Sequence, residues 1–334
     1  MKRRIFVFSL SVALLAGCAA TTVKEKHEPV TERYESVGEK SDLAGEHYAR
    51  GLAYHEEGDF DSAIAEFDRA ISVNPDYADA YIKRGAAYRS KGDYGMAIEN
   101  YSRAISVDPN DAQAYSARGV TRILSGDDVS AMADFNRAIK IDPGFAGFYL
   151  NRGAVYLRGG DFDHAIADFS QVIRISPDYT CAYINRAVAY QQKGDFDLAI
   201  ADYNLAISME PDSIHAYLSR GRMYCGIGEH DLALADFDRV IAINPDVSAA
   251  YFGRGTARHF KGDLDLAIED YDRAIEMDPN DIEVYYNRGV AHKNKGDHDR
   301  AIADFETVLR IDPNYRHGAL LRQIIGEARR PAGE

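Results

Sequence analysis

Eight prolines stand in strict register, at Pro75, Pro109, Pro143, Pro177, Pro211, Pro245, Pro279 and Pro313, each 34 residues after the last. A period of this length, held without slippage, marks one short supersecondary unit that cannot bury its apolar face alone and must stack on copies of itself. A glycine followed by an acid recurs in the same phase, from Gly58-Asp59 to Gly296-Asp297, with Glu229 the one replacement for aspartate. The 334-residue chain therefore reads as eight repeats, 44–77, 78–111, 112–145, 146–179, 180–213, 214–247, 248–281 and 282–315, rather than as two ordinary compact domains.

Spacing inside a repeat is helical. In the second, Tyr81, Gly85 and Tyr88 fall at i, i+4 and i+7, one face of a first helix. Gly92-Asp93 breaks that helix and presents a carboxylate N-cap to the next. Ala97, Tyr101 and Ala104 mark the inner face of a second helix, which Asp108-Pro109 ends because proline cannot continue the hydrogen-bond ladder. Each repeat thus predicts an antiparallel helix pair closed by a tight turn. Gly85 is expected to clear space where the helices cross, Ala97 to keep the facing side small, and Tyr81, Tyr88 and Tyr101 to fill around the crossing. This reliance on tyrosine accounts for a composition of 22 tyrosines and no tryptophan.

These columns resemble the tetratricopeptide repeat (TPR), and the resemblance covers 44–315. Counting from the start of each repeat, the family's large aromatic at position 4 is tyrosine from Tyr81 to Tyr285 and His47 in the first. Position 8 is glycine except for Ala187, position 20 is alanine from Ala63 to Ala301, and position 24 is Phe or Tyr from Phe67 to Phe305. Position 11 departs to Arg122, Arg258 and His292, and Asp128 replaces a hydrophobic group in the third repeat, so looser packing is expected there. Residues 316–330, with Leu320, Leu321, Ile324 and Ile325, suit an amphipathic helix that covers the last pair, Arg329 and Arg330 lying near its C-terminal end. The resemblance implies an all-α, right-handed superhelical solenoid of eight TPR hairpins, with a capping helix and tail in 316–334 and a concave groove. It also implies a protein–protein interaction scaffold, not an enzyme, with no cofactor and no small-molecule substrate.

Lys2, Arg3 and Arg4 precede the mostly apolar run Ile5–Leu15, too short to span a bilayer, and residues 1–17 read as an export signal. Leu15-Ala16-Gly17-Cys18 resembles the bacterial lipobox, which implies cleavage before Cys18, a diacylglycerol on its thiol and an acyl group on the new amino group. Each buried CH₂ of such chains contributes about 0.8 kcal/mol to anchoring. Ala19 follows, and the absence of aspartate there implies, by resemblance to Gram-negative lipoproteins, the periplasmic face of the outer membrane. An ordinary secretory signal with a chance cysteine is the other reading. Residues 18–43 are polar and read as the lipidated cysteine plus a flexible tether spanning roughly 25–30 Å.

Arginine holds position 7 throughout, as Arg50, Arg84, Arg118, Arg152, Arg186, Arg220, Arg254 and Arg288. Sixteen residues later stand Glu66, Asn100, Asp134, Asp168, Asp202, Asp236, Asp270 and Asp304. Their co-occurrence predicts a pair across the two helices of a repeat, in preference to an arginine ladder for anionic ligands. Positions 5, 9 and 12 form a stripe on the first helix away from its partner, and in the family this stripe lines the ligand groove. The candidate partner contacts are Tyr48, Ile82, Leu150, Ile184, Leu218, Phe252 and Tyr286 at position 5, packing between neighbouring first helices being the other reading. Asn151, Asn185 and Asn287 at position 6 are similar to a partial asparagine ladder that grips a peptide backbone, interrupted by Ser219 and Gly253, or else are exposed polar residues. A carboxylate clamp is rejected, because His215 and Ser219 stand where it needs cations.

The histidines are scattered, with His55 and His259 on the stripe and none at metal-ligand spacing. Cys181 and Cys225 lie about 15 Å apart along neighbouring helices by helix rise, so no disulfide is expected between them. A net charge of −14 disfavours nucleic acid. The combined expectation is a membrane-tethered adaptor for protein or peptide partners in the bacterial envelope; similar lipoproteins of the family serve as pilotins or as adaptors for cell-wall enzymes. A self-assembling structural envelope protein is the alternative.

Overall fold

A computed structural model describes residues 40–328. The export signal, Cys18 and the tether through residue 39 lie outside the described residues, as do Arg329, Arg330 and the four positions after them. The described residues form seventeen α-helices and no strand. They alternate as the period requires: α1 (Lys40–Glu57) with α2 (Phe60–Val73), α3 (Ala78–Ser90) with α4 (Tyr94–Val107), α5 (Ala112–Leu124) with α6 (Asp128–Ile141), and α7 (Ala146–Arg158) with α8 (Phe162–Ile175). Next come α9 (Thr180–Lys193), α10 (Phe196–Met209), α11 (Ile214–Ile227) with α12 (His230–Ile243), α13 (Ser248–Lys261) with α14 (Leu264–Met277), α15 (Ile282–Lys295) with α16 (His298–Ile311), and a last helix α17 (Gly318–Ala328). The first helix starts at Lys40, so the segment expected to be tether through residue 43 gives its last residues to α1, where Asp42 favours the positive helix end.

The chain groups into two compact bodies, divided inside α9 between Ala189 and Tyr190. Within each body the two helices of a hairpin pack on each other, and the second helix packs on the first helix of the next hairpin. Successive first helices also touch, α1 with α3 and α3 with α5 in one body, α11 with α13 and α13 with α15 in the other. Each hairpin covers its neighbour's apolar face, which is what a repeat of this size needs for stability.

The turns are set by backbone chemistry. All eight turn glycines, from Gly58 to Gly296, hold φ between +79° and +93°, a region costly for any residue with a Cβ. Asp59, Asp93, Asp127, Asp161 and Asp297 then accept from the backbone N–H three residues on, Asp93 Oδ1 lying 3.0 Å from Met96 N. Asp195, Glu229 and Asp263 occupy the same place without that bond. Ahead of Pro109, Asp108 is already extended, at φ −124° and ψ 96°.

The position-20 alanines and position-24 rings are fully buried. A Cβ built on Gly153 would stand 2.8 Å from Cε1 of Phe169, and one on Gly119 would stand 2.9 Å from Cε1 of Phe135. The position-8 glycine therefore makes room for the ring of its own hairpin. At Gly85 the neighbour is Tyr101, at 3.1 Å, where the sequence reading placed Ala97. Gly253, an interruption in the asparagine column, lies against the Phe237 ring of the preceding hairpin.

At Arg122, Arg258 and Asp128 the irregular columns are not loose, whereas His292 is buried with its Nδ1 unbonded. Arg122 Nη1 lies 2.7 Å from Asp134 Oδ2, Arg258 Nη1 lies 2.8 Å from Asp270 Oδ2, and Asp128 accepts from Arg158 Nε at 3.0 Å. These substitutions exchange an apolar contact for an ion pair, which holds the same helices together. On α17, Leu321 and Ile325 close over Phe305, Val308 and Tyr315, while Leu320 faces solvent.

Candidate partner-binding face

Each position-7 arginine described within one body meets the polar group of its partner helix. Arg118, Arg152, Arg220 and Arg288 each donate through Nε and Nη2 to the two oxygens of Asp134, Asp168, Asp236 and Asp304, at 2.6 to 3.0 Å. Arg254 does the same with Asp270, with Nη2 2.7 Å from Oδ1. Arg84 donates to Asn100 at 2.7 Å and Arg50 to Glu66 at 3.1 Å. Arg186 and Asp202 fall in different bodies.

The remaining Nη1 does what the sequence reading missed. It reaches back to position 25 of the preceding hairpin: Arg118 to Ser102 at 2.9 Å, Arg152 to Asn136 at 2.7 Å, Arg186 to Ser170 at 3.0 Å, Arg254 to Asp238 at 2.7 Å and Arg288 to Asp272 at 2.6 Å. Arg84 with Asp68 and Arg220 with Asn204 complete the series. The guanidiniums also lie over the position-4 rings, 5.4 Å from the centroid for Arg84 over Tyr81. At Arg254 and Arg288 burial disfavours the charge, but the flanking carboxylates outweigh it and hold both groups more firmly protonated than an ordinary arginine. These arginines are engaged within the fold and do not form an open ladder for anions.

The position-5 residues divide. Leu150, Ile184 and Leu218 are buried, Leu150 in a cluster with Phe169, Val172 and Ala182, so they present little surface to a partner. Tyr48, Ile82, Phe252 and Tyr286 are half-buried. Their rings rest on one side against core aromatics, Tyr48 5.8 Å from Phe67, Phe252 6.1 Å from Tyr271 and Tyr286 6.3 Å from Phe305.

At position 6, Asn185 is buried, Asn151 is half-buried, and Asn287 Nδ2 donates to Glu283 O of its own helix at 2.7 Å. This column does not present a row of open amides; at Gly253 the Phe237 ring of the preceding hairpin occupies the place of a side chain. Burial lowers the pKa of His55 and His259 below the ordinary imidazole value. It pushes the Cys225 thiol up to about 12, which removes its reactivity. Among the described residues no group of His, Cys, Asp and Glu could hold a metal ion, and no helix is long and apolar enough to cross a membrane.

Two family models match the chain. The TPR repeat matches residues 51–89, 85–126, 155–194 and 255–296, and the tetratricopeptide repeat matches 180–213 and 282–315. Together they span more than half of the sequence, and the chain belongs to the tetratricopeptide repeat proteins. It is accordingly a protein–protein interaction scaffold, in a family whose members are typically not enzymes. No curated protein sequence matches it. Among solved structures it is similar to a tetratricopeptide repeat protein from Parabacteroides merdae ATCC 43184, with TM-score 0.60 and 20% identity over 78% of this chain and 99% of that one. It is also similar to yeast Tom70, with TM-score 0.61 and 18% identity over 94% of this chain and 69% of that one. At these identities the likeness is one of fold.

Proposed function

We propose that this protein is a lipid-anchored adaptor of the bacterial envelope, which holds protein or peptide partners along the stripe of its first helices. The anchor is Cys18, and the periplasmic face of the outer membrane is its location. The observation that supports partner binding is two pairs of half-buried apolar side chains on adjoining first helices, Tyr48 with Ile82 in one body and Phe252 with Tyr286 in the other. Apolar groups half-open to water at 34-residue intervals gain by being covered. The helices that carry them are already packed, so a bound segment orders itself without reordering the scaffold. A photo-crosslinking residue in place of Phe252 should capture a partner in intact cells, and one in place of Val129, 85% exposed on a second helix, should not. Capture from Val129 alone would reject the assignment of the face.

Self-assembly is the second reading, and one observation favours it. Leu198, Leu232 and Leu266, at the same place in three successive repeats, are 51%, 48% and 44% exposed on second helices. Sedimentation over a wide concentration range separates the two readings: growth in size supports assembly, and a constant monomer supports the adaptor.

A further inference from the structure

The acids of this chain avoid the first-helix stripe. Positions 5, 9 and 12, the first-helix stripe, carry no Asp or Glu in any repeat, in a chain with 53 acids, yet they carry Arg89, Arg222 and Lys293. Second helices instead carry exposed acids, Asp163, Asp197, Asp231, Asp265 and Asp299 all at position 18, beside the exposed arginines Arg69, Arg103, Arg239 and Arg273 at position 26. The sorting holds in each body by itself, with Arg89 in one and Arg222 and Lys293 in the other.

Arg222 is the decisive member. Its column is otherwise apolar or small, from Leu52 to Val290. It sits half-buried on α11 one turn from Leu218 and Cys225, both buried. Two residues earlier, Arg220 is held by Asp236 and Asn204; among the described residues nothing hydrogen-bonds or ion-pairs with Arg222. Burial lowers its pKa from the ordinary arginine value, with only Tyr203 opposing. Tyr203 is no counter-ion, since burial raises its own pKa and its hydroxyl donates to Gln191 Oε1 at 3.2 Å. A guanidinium partly stripped of water and left unpaired is costly, and an incoming carboxylate would meet it with a charge-assisted, bidentate bond.

We infer that the stripe takes a peptide segment in which carboxylate side chains alternate with apolar ones, Arg222 receiving a carboxylate and half-buried rings such as Phe252 receiving the apolar groups. This rests on the partner-binding reading above and adds the chemistry of the partner. A nucleic acid is disfavoured, because isolated cations cannot neutralise a phosphate backbone against a net charge of −14. The exposed acids of the second helices disfavour an acidic segment there, whereas the stripe offers it cations and no carboxylate, which favours docking here.

Random peptides displayed on phage, selected on the full chain and on Arg222→Gln, test the inference. Peptides rich in Asp and Glu with apolar residues between them are expected, binding Arg222→Gln roughly tenfold more weakly and losing affinity in high salt. Arg222→Lys, which keeps the charge without the fork, should fall between. Selected peptides without acidic bias, or rich in Lys and Arg, overturn the inference and leave partner binding standing. Acidic peptides held equally by Arg222→Gln overturn the role of Arg222, and recovery of no peptide that competes at the stripe overturns both readings. Since Arg222 bonds to nothing in the fold and its unpaired charge is costly there, Arg222→Gln should not lower the melting temperature, so weaker binding cannot be put down to unfolding.

Discussion

Nη2 of Arg152 donates to Oδ1 of Asp168 across 2.7 Å, and Nε of the same arginine donates to Oδ2 across 2.8 Å, two parallel bonds joining the helices of one hairpin. Asp168 is buried and the arginine lies at the edge, so loss of the carboxylate strands a partly desolvated cation. Asp168→Leu should therefore lower stability by about 3 kcal/mol. Asp168→Asn should cost only about 1 kcal/mol, because the second hairpin already works this way, with Asn100 accepting from Arg84. Urea denaturation of both variants checks the ordering; equal losses would mean the charge contributes nothing.

Gly153 faces a ring with no slack. The ring of Phe169 is fully buried and would meet even a methyl group at 2.8 Å. Gly153→Leu should overpack the crossing at a cost of about 1–3 kcal/mol, read as a lower melting temperature. An unchanged melt would contradict the position given to that ring.

The hairpins and their ion pairs could be read from the chain because each depends on residues within one repeat. Gly92, Asp93 and Pro109 act on their own backbone, and Arg118 finds Asp134 sixteen residues away. What was missed depends on the neighbour. Whether a position-5 side chain is buried like Leu218 or half-open like Phe252 depends on how closely the adjoining hairpins approach, which no local spacing encodes. The second hand of each arginine was hidden differently: Asp68, Ser102, Asn136 and Asp238 share a column without sharing an identity. Comparing columns for a hydrogen-bond acceptor, rather than for one residue type, would have found them.

Acid should expose the misfit of His292. It is 5% exposed, its Nδ1 has no hydrogen bond, and burial lowers its pKa, with Asp304 and Asp297 opposing and Arg288 and Arg300 reinforcing. The unfolded chain then takes up this proton at higher pH than the folded protein. The contribution is complete above the unfolded value of about 6.5 and is lost as pH falls below it toward the folded value. His292→Tyr restores the residue found there as Tyr54, Tyr88, Tyr156, Tyr190 and Tyr224. Thermal melts between about pH 7.5 and 5.5 should fall less steeply for the variant; parallel curves would dismiss the histidine as a source of acid sensitivity.

Cys18→Ser should move the protein from the membrane fraction to the soluble fraction while the repeats melt as before. Retention in the membrane pellet would refute the lipid anchor, and would leave the TPR fold untouched.

From Arg84 onward each hairpin's arginine also grasps the hairpin before it, and any acceptor at the receiving position will serve. Excising 112–145 would set Arg152 opposite Ser102 instead of Asn136, one oxygen in place of another. The seam would close on itself. Such a chain can gain or shed whole repeats through recombination without a mismatched joint, so its length is open to selection for reach, independently of the chemistry that any single repeat displays.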